Sequence, residues 1–320
     1  MSLDSKHNCK RIHDDLSWAR DLSDADWCAF LSGELELSGR TPPSMPSPEF
    51  QSSWVGGAGL IALTEAMTFL SRMKAGMSQA GSPLRHDMRV LDFGAGWGRF
   101  YRILMRDVDS LVAADPDPPC IQMCRSMFPG GEFLQIPPLP PYPFRDGEFD
   151  LIYAYSVFTH LAAPVFEAVV REFARIVKPG GFVAFTTLPL NCIDQFHEQG
   201  NYKSVMDQIG FDPMSWHAKA EAGEFLFLPT GGGGCLESPE IYGWSWIGRP
   251  YLERALQHVP FQILAMESVP GLPQEFVLLR SRKSGRTSAA RNLVALWRLT
   301  FRHWQARRKE SAAIDLGGEQ

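Results

Sequence analysis

The chain has 320 residues, 45% hydrophobic and 21% charged, with a net charge of −5, which is enough apolar material for a real core and enough charge for solubility. No uninterrupted apolar run approaches the ~18 residues that cross a bilayer. The first thirty residues carry several acids and no apolar h-region, which argues against a secretory signal and predicts a cytoplasmic protein.

Residues 14–32 read as a helix, with Ser23 as an N-cap ahead of acids in the first turn. A Pro/Ser-rich connector, "SGRTPPSMPSPE" (38–49), follows. "GLIALTEAMTFLSRM" (59–73) has helical apolar spacing and is expected to stop before Gly76. Residues 1–80 are therefore expected to form a helical N-terminal cap. The segment 46–59 between its helices is placed to fold over a ligand.

From residue 88 short apolar runs alternate with amphipathic stretches. "MRVLDF", "SLVAAD", "GEFLQI", "EFDLIYAYSV" and "GFVAFTTL" read as strands, with helices over "GRFYRILMRD", "PPCIQMCRSMF" and "APVFEAVVREFARIV". Continuous apolar strands separated by helices indicate an α/β fold with a doubly wound parallel sheet covered on both faces. "KPGG" (178–181) is expected to end the third of these helices before its strand. The six cysteines are scattered and read as reduced thiols; Cys120 and Cys124, four apart on a helix, lack a second ligand pair, so no metal is expected.

Residues 189–247 interrupt this rhythm with glycines and aromatics and read as an insertion. The rhythm resumes with a helix over "PYLERALQHV" and strands over "FQILAMESV" and "QEFVLLRSR". "PGLP" joins those strands and is too short for a crossover helix, so they pair antiparallel. From Arg280 onward ten basic residues face three acids, a charge of +7 against −12 for the rest. The acidic body disfavours a nucleic-acid partner.

The chemistry concentrates in "VLDFGAGWGRF" (90–100). Ligands of doubly wound sheets bind beyond the carboxyl ends of the strands, where this loop lies. Glycines allow positive φ and let a ligand approach bare backbone. A dinucleotide fingerprint, G-x-G-x-x-G, would need glycine where Arg99 stands. Asp92 below the loop suits a cationic ligand better than a pyrophosphate. Asp115, ending the second strand, can accept ribose hydroxyls.

Taken together, "VLDFGAGWGRF", "VAADPD", "FDLIYAYSVFTHL", "FARIVKPGGFVAFTT" and the closing pair resemble the class I S-adenosylmethionine-dependent methyltransferases over residues 81–283. The resemblance implies a mostly parallel seven-stranded sheet of order 3-2-1-4-5-7-6 with strand 7 antiparallel. It implies S-adenosyl-L-methionine as cofactor, with Gly94 and Gly96 against its methionine part, Asp92 near its amino group and Asp115 on its ribose. Many relatives carry an Asp or Asn after the third strand for the adenine amine; here "QIPPLPPYPF" has none, leaving backbone groups or Gln135.

His160, after the fourth strand, is a candidate base, or a turn residue bonded to backbone. Tyr242 and Trp244 in the insertion are candidate substrate contacts. The expected activity is methyl transfer to a small-molecule or glycan acceptor, at oxygen in preference to nitrogen. The competing readings are an N-methyltransferase and a cofactor-binding but silent interaction protein. The tail, 284–320, contains a basic amphipathic stretch at 289–309 that is expected either to pack on the domain or to contact an anionic membrane surface or an acidic partner.

Overall fold

A computed structural model describes residues 16–232 and 238–282. The 289–309 stretch lies outside the described residues.

A 3-10 turn (Ser17–Asp21) leads into α1 (Asp24–Ser32). The Ser23 side chain accepts from the Asp26 amide and divides the expected 14–32 helix into these two pieces. α2 (Pro48–Val55) and α3 (Gly59–Gln79) follow. α3 continues through Gly76 instead of stopping there, and Leu278 packs so closely that a Cβ at Gly76 would collide with it. That glycine admits a strand to the helix surface. The run 48–79 is long and apolar enough by composition to cross a membrane, yet α3 buries Leu63, Phe69, Leu70 and Met73 in the core beside the sheet.

The repeating part comprises β1 (Arg89–Phe93), α4 (Arg99–Leu104), β2 (Ser110–Asp115), α5 (Pro118–Met127), β3 (Glu132–Gln135), β4 (Phe149–Ala154), α6 (Ala163–Ile176) and β5 (Val177–Thr187). α7 (Cys192–Gln199), α8 (Lys203–Ile209), α9 (Pro213–Glu221), β6 (Leu226–Leu228) and β7 (Trp244–Trp246) form the insertion. α10 (Arg249–Ala255), β8 (Phe261–Ser268) and β9 (Glu275–Ser281) close the chain. The seven-stranded sheet has the order β3-β2-β1-β4-β5-β9-β8. β9 runs antiparallel to both of its neighbours, and the short "PGLP" connection accounts for its pairing with β8.

"KPGG" is part of β5 and not a break before it. The register against β4 jumps from Phe149↔Val177 to Leu151↔Phe182, so these residues bulge out of the ladder. Gly180 supplies positive φ there, and a Cβ on Gly181 would press on the Asp150 carbonyl.

One apolar core lies between the sheet and the N-terminal helices, built around Trp27, Phe69, Phe100 and Tyr153. A second lies on the opposite face around Phe158, Phe166 and Phe173. The insertion has its own small core, in which Trp216 and Trp246 pack edge to face. It is zipped to the chain after β4 by backbone bonds: Ser245 N–H to Thr159 O, Gly243 N–H to His160 O and Ala162 N–H to Ile241 O.

Candidate active site

β1 delivers Asp92 to the carboxyl edge of the sheet, 2% exposed. The chain then turns through Gly94, Gly96 and Gly98, all at positive φ. At Gly94 a side chain would also collide with Val157, so glycine is required on two counts. The loop is held from below by β2. Asp115 accepts the Gly96 amide on one carboxylate oxygen and the Asp117 amide on the other, both at 2.8 Å. The Cys124 thiol donates to the Gly96 carbonyl. Asp115 thus shapes the loop as well as facing the crevice, and each oxygen retains a lone pair for a ligand hydroxyl.

Burial raises the Asp92 carboxyl to about 8, with the nearby Asp115 charge adding to the rise. Tyr153 and Arg99 pull it the other way. Asp92 Oδ2 and the Tyr153 hydroxyl are buried beside each other without a hydrogen bond of good geometry. Asp115 is raised by burial to about 6, moderated by its two amide bonds. A buried carboxyl that lines a crevice, with its pKa raised, is poised to bind a cation or a donor.

Two adjoining cavities occupy this edge. The crevice, about 200 Å³, is lined by Asp92, Gly94, Gly96, Asp115 and Asp117 among others. The chamber, about 600 Å³, is bounded by Trp54, Glu65, Trp244 and Gln274 among others. Arg99, Tyr155, Ser156, His160 and Tyr242 line both.

His160 is stacked on Tyr242 at 5.0 Å and 3°, with Trp244 4.5 Å away. Its Nδ1 lies 3.0 Å from the Gly243 carbonyl, which fixes Nδ1 as the donor and leaves Nε2 as an acceptor. Burial lowers the imidazole to about 4, so it is neutral near pH 7. Base candidate and backbone-bonded turn residue are therefore one arrangement, and the second weakens the first.

Of the expected site residues, Asp92, Gly94, Gly96, Asp115, His160 and Tyr242 share the crevice wall. Trp244 lines the chamber alone. Gln135 does not join them: it is exposed at the end of edge strand β3, paired in register with Asp115 but absent from both linings. Trp246, beside them in sequence, is buried in the insertion core.

The contribution of α3 had no signal in the sequence. Glu65 on α3 accepts on Oε1 from Arg99 Nη1 at 3.0 Å and from the Tyr155 hydroxyl at 2.8 Å. Trp54 on α2 stands over Gly96 and lines both cavities, as the position of segment 46–59 suggested. Ser156 takes positive φ, and its amide donates to Thr186 while its hydroxyl accepts from Gln274. Those two bonds hold a non-glycine residue in a sparsely populated conformation at the cavity wall. No local sequence signal announces it.

Residues 91–185 match the family model of a methyltransferase domain. The chain carries a methyltransferase domain over this segment. Outside that segment the likeness is thinner. A sarcosine/dimethylglycine N-methyltransferase of Halorhodospira halochloris is 28% identical over 144 residues, 43% of this chain and 50% of that protein. A malonyl-[acyl-carrier protein] O-methyltransferase of Methylococcus capsulatus is 30% identical over 149 residues, 43% of this chain and 49% of that one. The chain thus spans about half the length of the curated relatives it matches. A solved SAM-dependent methyltransferase from Methanosarcina mazei is 16% identical, covering 63% of this chain and 95% of its own, with a TM-score of 0.44.

S-adenosylmethionine is the cofactor of this methyltransferase domain, and the crevice fits it. The glycine turn leaves backbone amides uncovered, and the Asp92 carboxylate in the crevice wall is a counter-charge for an α-ammonium.

Proposed function

We propose that the protein transfers a methyl group from S-adenosylmethionine in the crevice to a small-molecule nucleophile in the chamber. The observation that carries this reading is the wall common to both cavities, where Tyr155, Ser156, His160 and Tyr242 would separate donor from acceptor by a single side chain. A cofactor-binding protein without turnover would need no second chamber there.

In this reading Asp92 holds the cofactor's ammonium, Gly94 and Gly96 expose backbone to its methionine part, and Asp115 accepts from its ribose. The cofactor supplies a methyl on a sulfonium, an activated electrophile. The protein's task is then mainly alignment, which contributes roughly 7–11 kcal/mol in ideal cases. Stacked and tethered, His160 orients the acceptor through Nε2; a group titrating near 4 is poorly matched to deprotonating a hydroxyl at neutral pH. The relatives act, by their names, at nitrogen in one case and oxygen in the other, and both are compatible with a small acceptor in preference to a glycan.

Calorimetry tests the cofactor half. S-adenosylmethionine or its demethylated product should bind with micromolar affinity, about −8 kcal/mol. Asp115→Ala should weaken this by about 1.5–3 kcal/mol, the worth of charged-acceptor hydrogen bonds. Tighter binding of NAD than of the sulfonium compound would overturn the reading. Mass spectrometry of metabolite pools incubated with labelled cofactor tests the transfer half.

A further inference from the structure

Charge is distributed unevenly over the two cavities. Their ionisable lining comprises four carboxyl groups, Asp92, Asp115, Asp117 and Glu65, against one guanidinium, Arg99. Arg99 is itself neutralised by Glu65 at 3.0 Å. An anionic acceptor entering the chamber would therefore meet no unpaired cation among the described residues, with the carboxylates of Asp115 and Asp117 beyond it in the crevice. A positively charged acceptor meets the opposite field.

The chamber also offers groups that recognise a cation directly. Both bonds to Glu65 converge on Oε1, so Oε2 makes no hydrogen bond among the described residues. The rings of Trp54, Tyr155, Tyr242 and Trp244 line the same chamber, Tyr155 with Arg99 over one face and Tyr242 with His160 stacked on one face. Aromatic faces attract ammonium groups through the ring quadrupole, tryptophan most strongly. His160 adds no competing charge, because its imidazole is neutral above about pH 4. The Gln274 amide donates one N–H to Ser156 and accepts from Thr186, and it carries no charge to balance an anion.

We propose that the acceptor is an organic amine, admitted as its ammonium form into the chamber between Glu65 and the rings of Trp54, Tyr155, Tyr242 and Trp244. The proposal rests on the methyl-transfer reading and specifies its substrate class. It displaces the oxygen acceptor expected from the sequence. The amine sheds a proton to water to free its lone pair. The nitrogen lone pair then forms the bond to the methyl carbon as the carbon–sulfur bond breaks, and that bond's electron pair stays on sulfur as a neutral thioether. The positive charge passes from sulfur to nitrogen, where the carboxylates stabilise it. No hydroxyl needs deprotonation, consistent with a weakly basic His160.

The test is calorimetry at pH 7.5 and low salt on the full chain saturated with S-adenosylhomocysteine, titrated with butylammonium, butan-1-ol and butyrate. These three share a chain length and differ in charge. Butylammonium should bind about tenfold or more tightly than the other two. Glu65→Gln should remove at least that preference, and Trp244→Leu should weaken butylammonium while leaving S-adenosylhomocysteine affinity within about twofold, since Trp244 does not line the crevice. Binding of butyrate or butan-1-ol as tight as butylammonium, or no binding of any probe, overturns the proposal. Failure of S-adenosylhomocysteine itself to bind overturns the methyl-transfer reading instead. Should Glu65→Gln fail to fold, the probe ranking and the Trp244 variant still decide.

Discussion

His160 and Tyr242, 82 positions apart in the chain, stack at 3° with centroids 5.0 Å apart. The stack fastens the insertion to the loop after β4, and both rings face the crevice and the chamber. His160→Ala should lower the transfer rate and leave cofactor affinity within about twofold, because the cofactor does not depend on it. The lowered imidazole pKa sets a second outcome. With the folded value near 4 and the unfolded value near 6.5, the unfolded chain binds the extra proton, so this group's contribution to stability is lost as pH falls from about 6.5 to 4. His160→Asn should flatten that part of the melting-temperature profile.

Asp92 and Asp115 give the reverse sign. Both carboxyls are raised, to about 8 and about 6, so the free protein's stability from these groups is full below about pH 4 and declines as pH rises toward 8. Binding a cation requires Asp92 to ionise, so cofactor binding should release a proton near neutrality. Affinity should then rise by up to about tenfold per pH unit approaching 8. Titrations in buffers of different ionisation enthalpy measure the released proton. Asp92→Asn should abolish the release.

Gly94→Ala should be strongly destabilising. Its positive φ costs a side chain about 1–2 kcal/mol, and the Cβ would collide with Val157. Adding Val157→Ala should restore the steric part and leave the backbone part, a separation that a double-mutant cycle in urea reads directly.

Arg102 is fully buried with no carboxylate partner among the described residues. It donates to the Pro43 and Ser44 carbonyls and lies over Trp97 and Phe128, and burial lowers it to about 10, so it remains charged near neutrality. Arg102→Lys should cost about 1–3 kcal/mol, since an ammonium cannot reproduce the planar fork. Proteolysis should then open the connector around residues 40–47 before the domain.

The strand order and the glycine turn were legible because both are written in local pattern. Apolar runs of strand length between amphipathic helices dictate a covered parallel sheet, and "PGLP" is too short to be anything but a reversal. Asp92 and Asp115 were legible for the same reason: each ends a strand, and strand ends are where this fold binds. Glu65, Arg99 and Gln274 were not, because their roles arise from contacts between elements distant in the chain, which no spacing encodes. The turn at Ser156, the helix running through Gly76 and the bulge at "KPGG" were decided likewise by neighbours: Thr186 and Gln274 at the first, Leu278 at the second, Asp150 at the third. Local sequence fixed which backbone segments would be rigid and where they would end; only the packing of α2, α3 and the insertion against those ends decided what chemistry the chamber faces. That chemistry depends on burial and on charge pairing, and both are properties of the assembled fold.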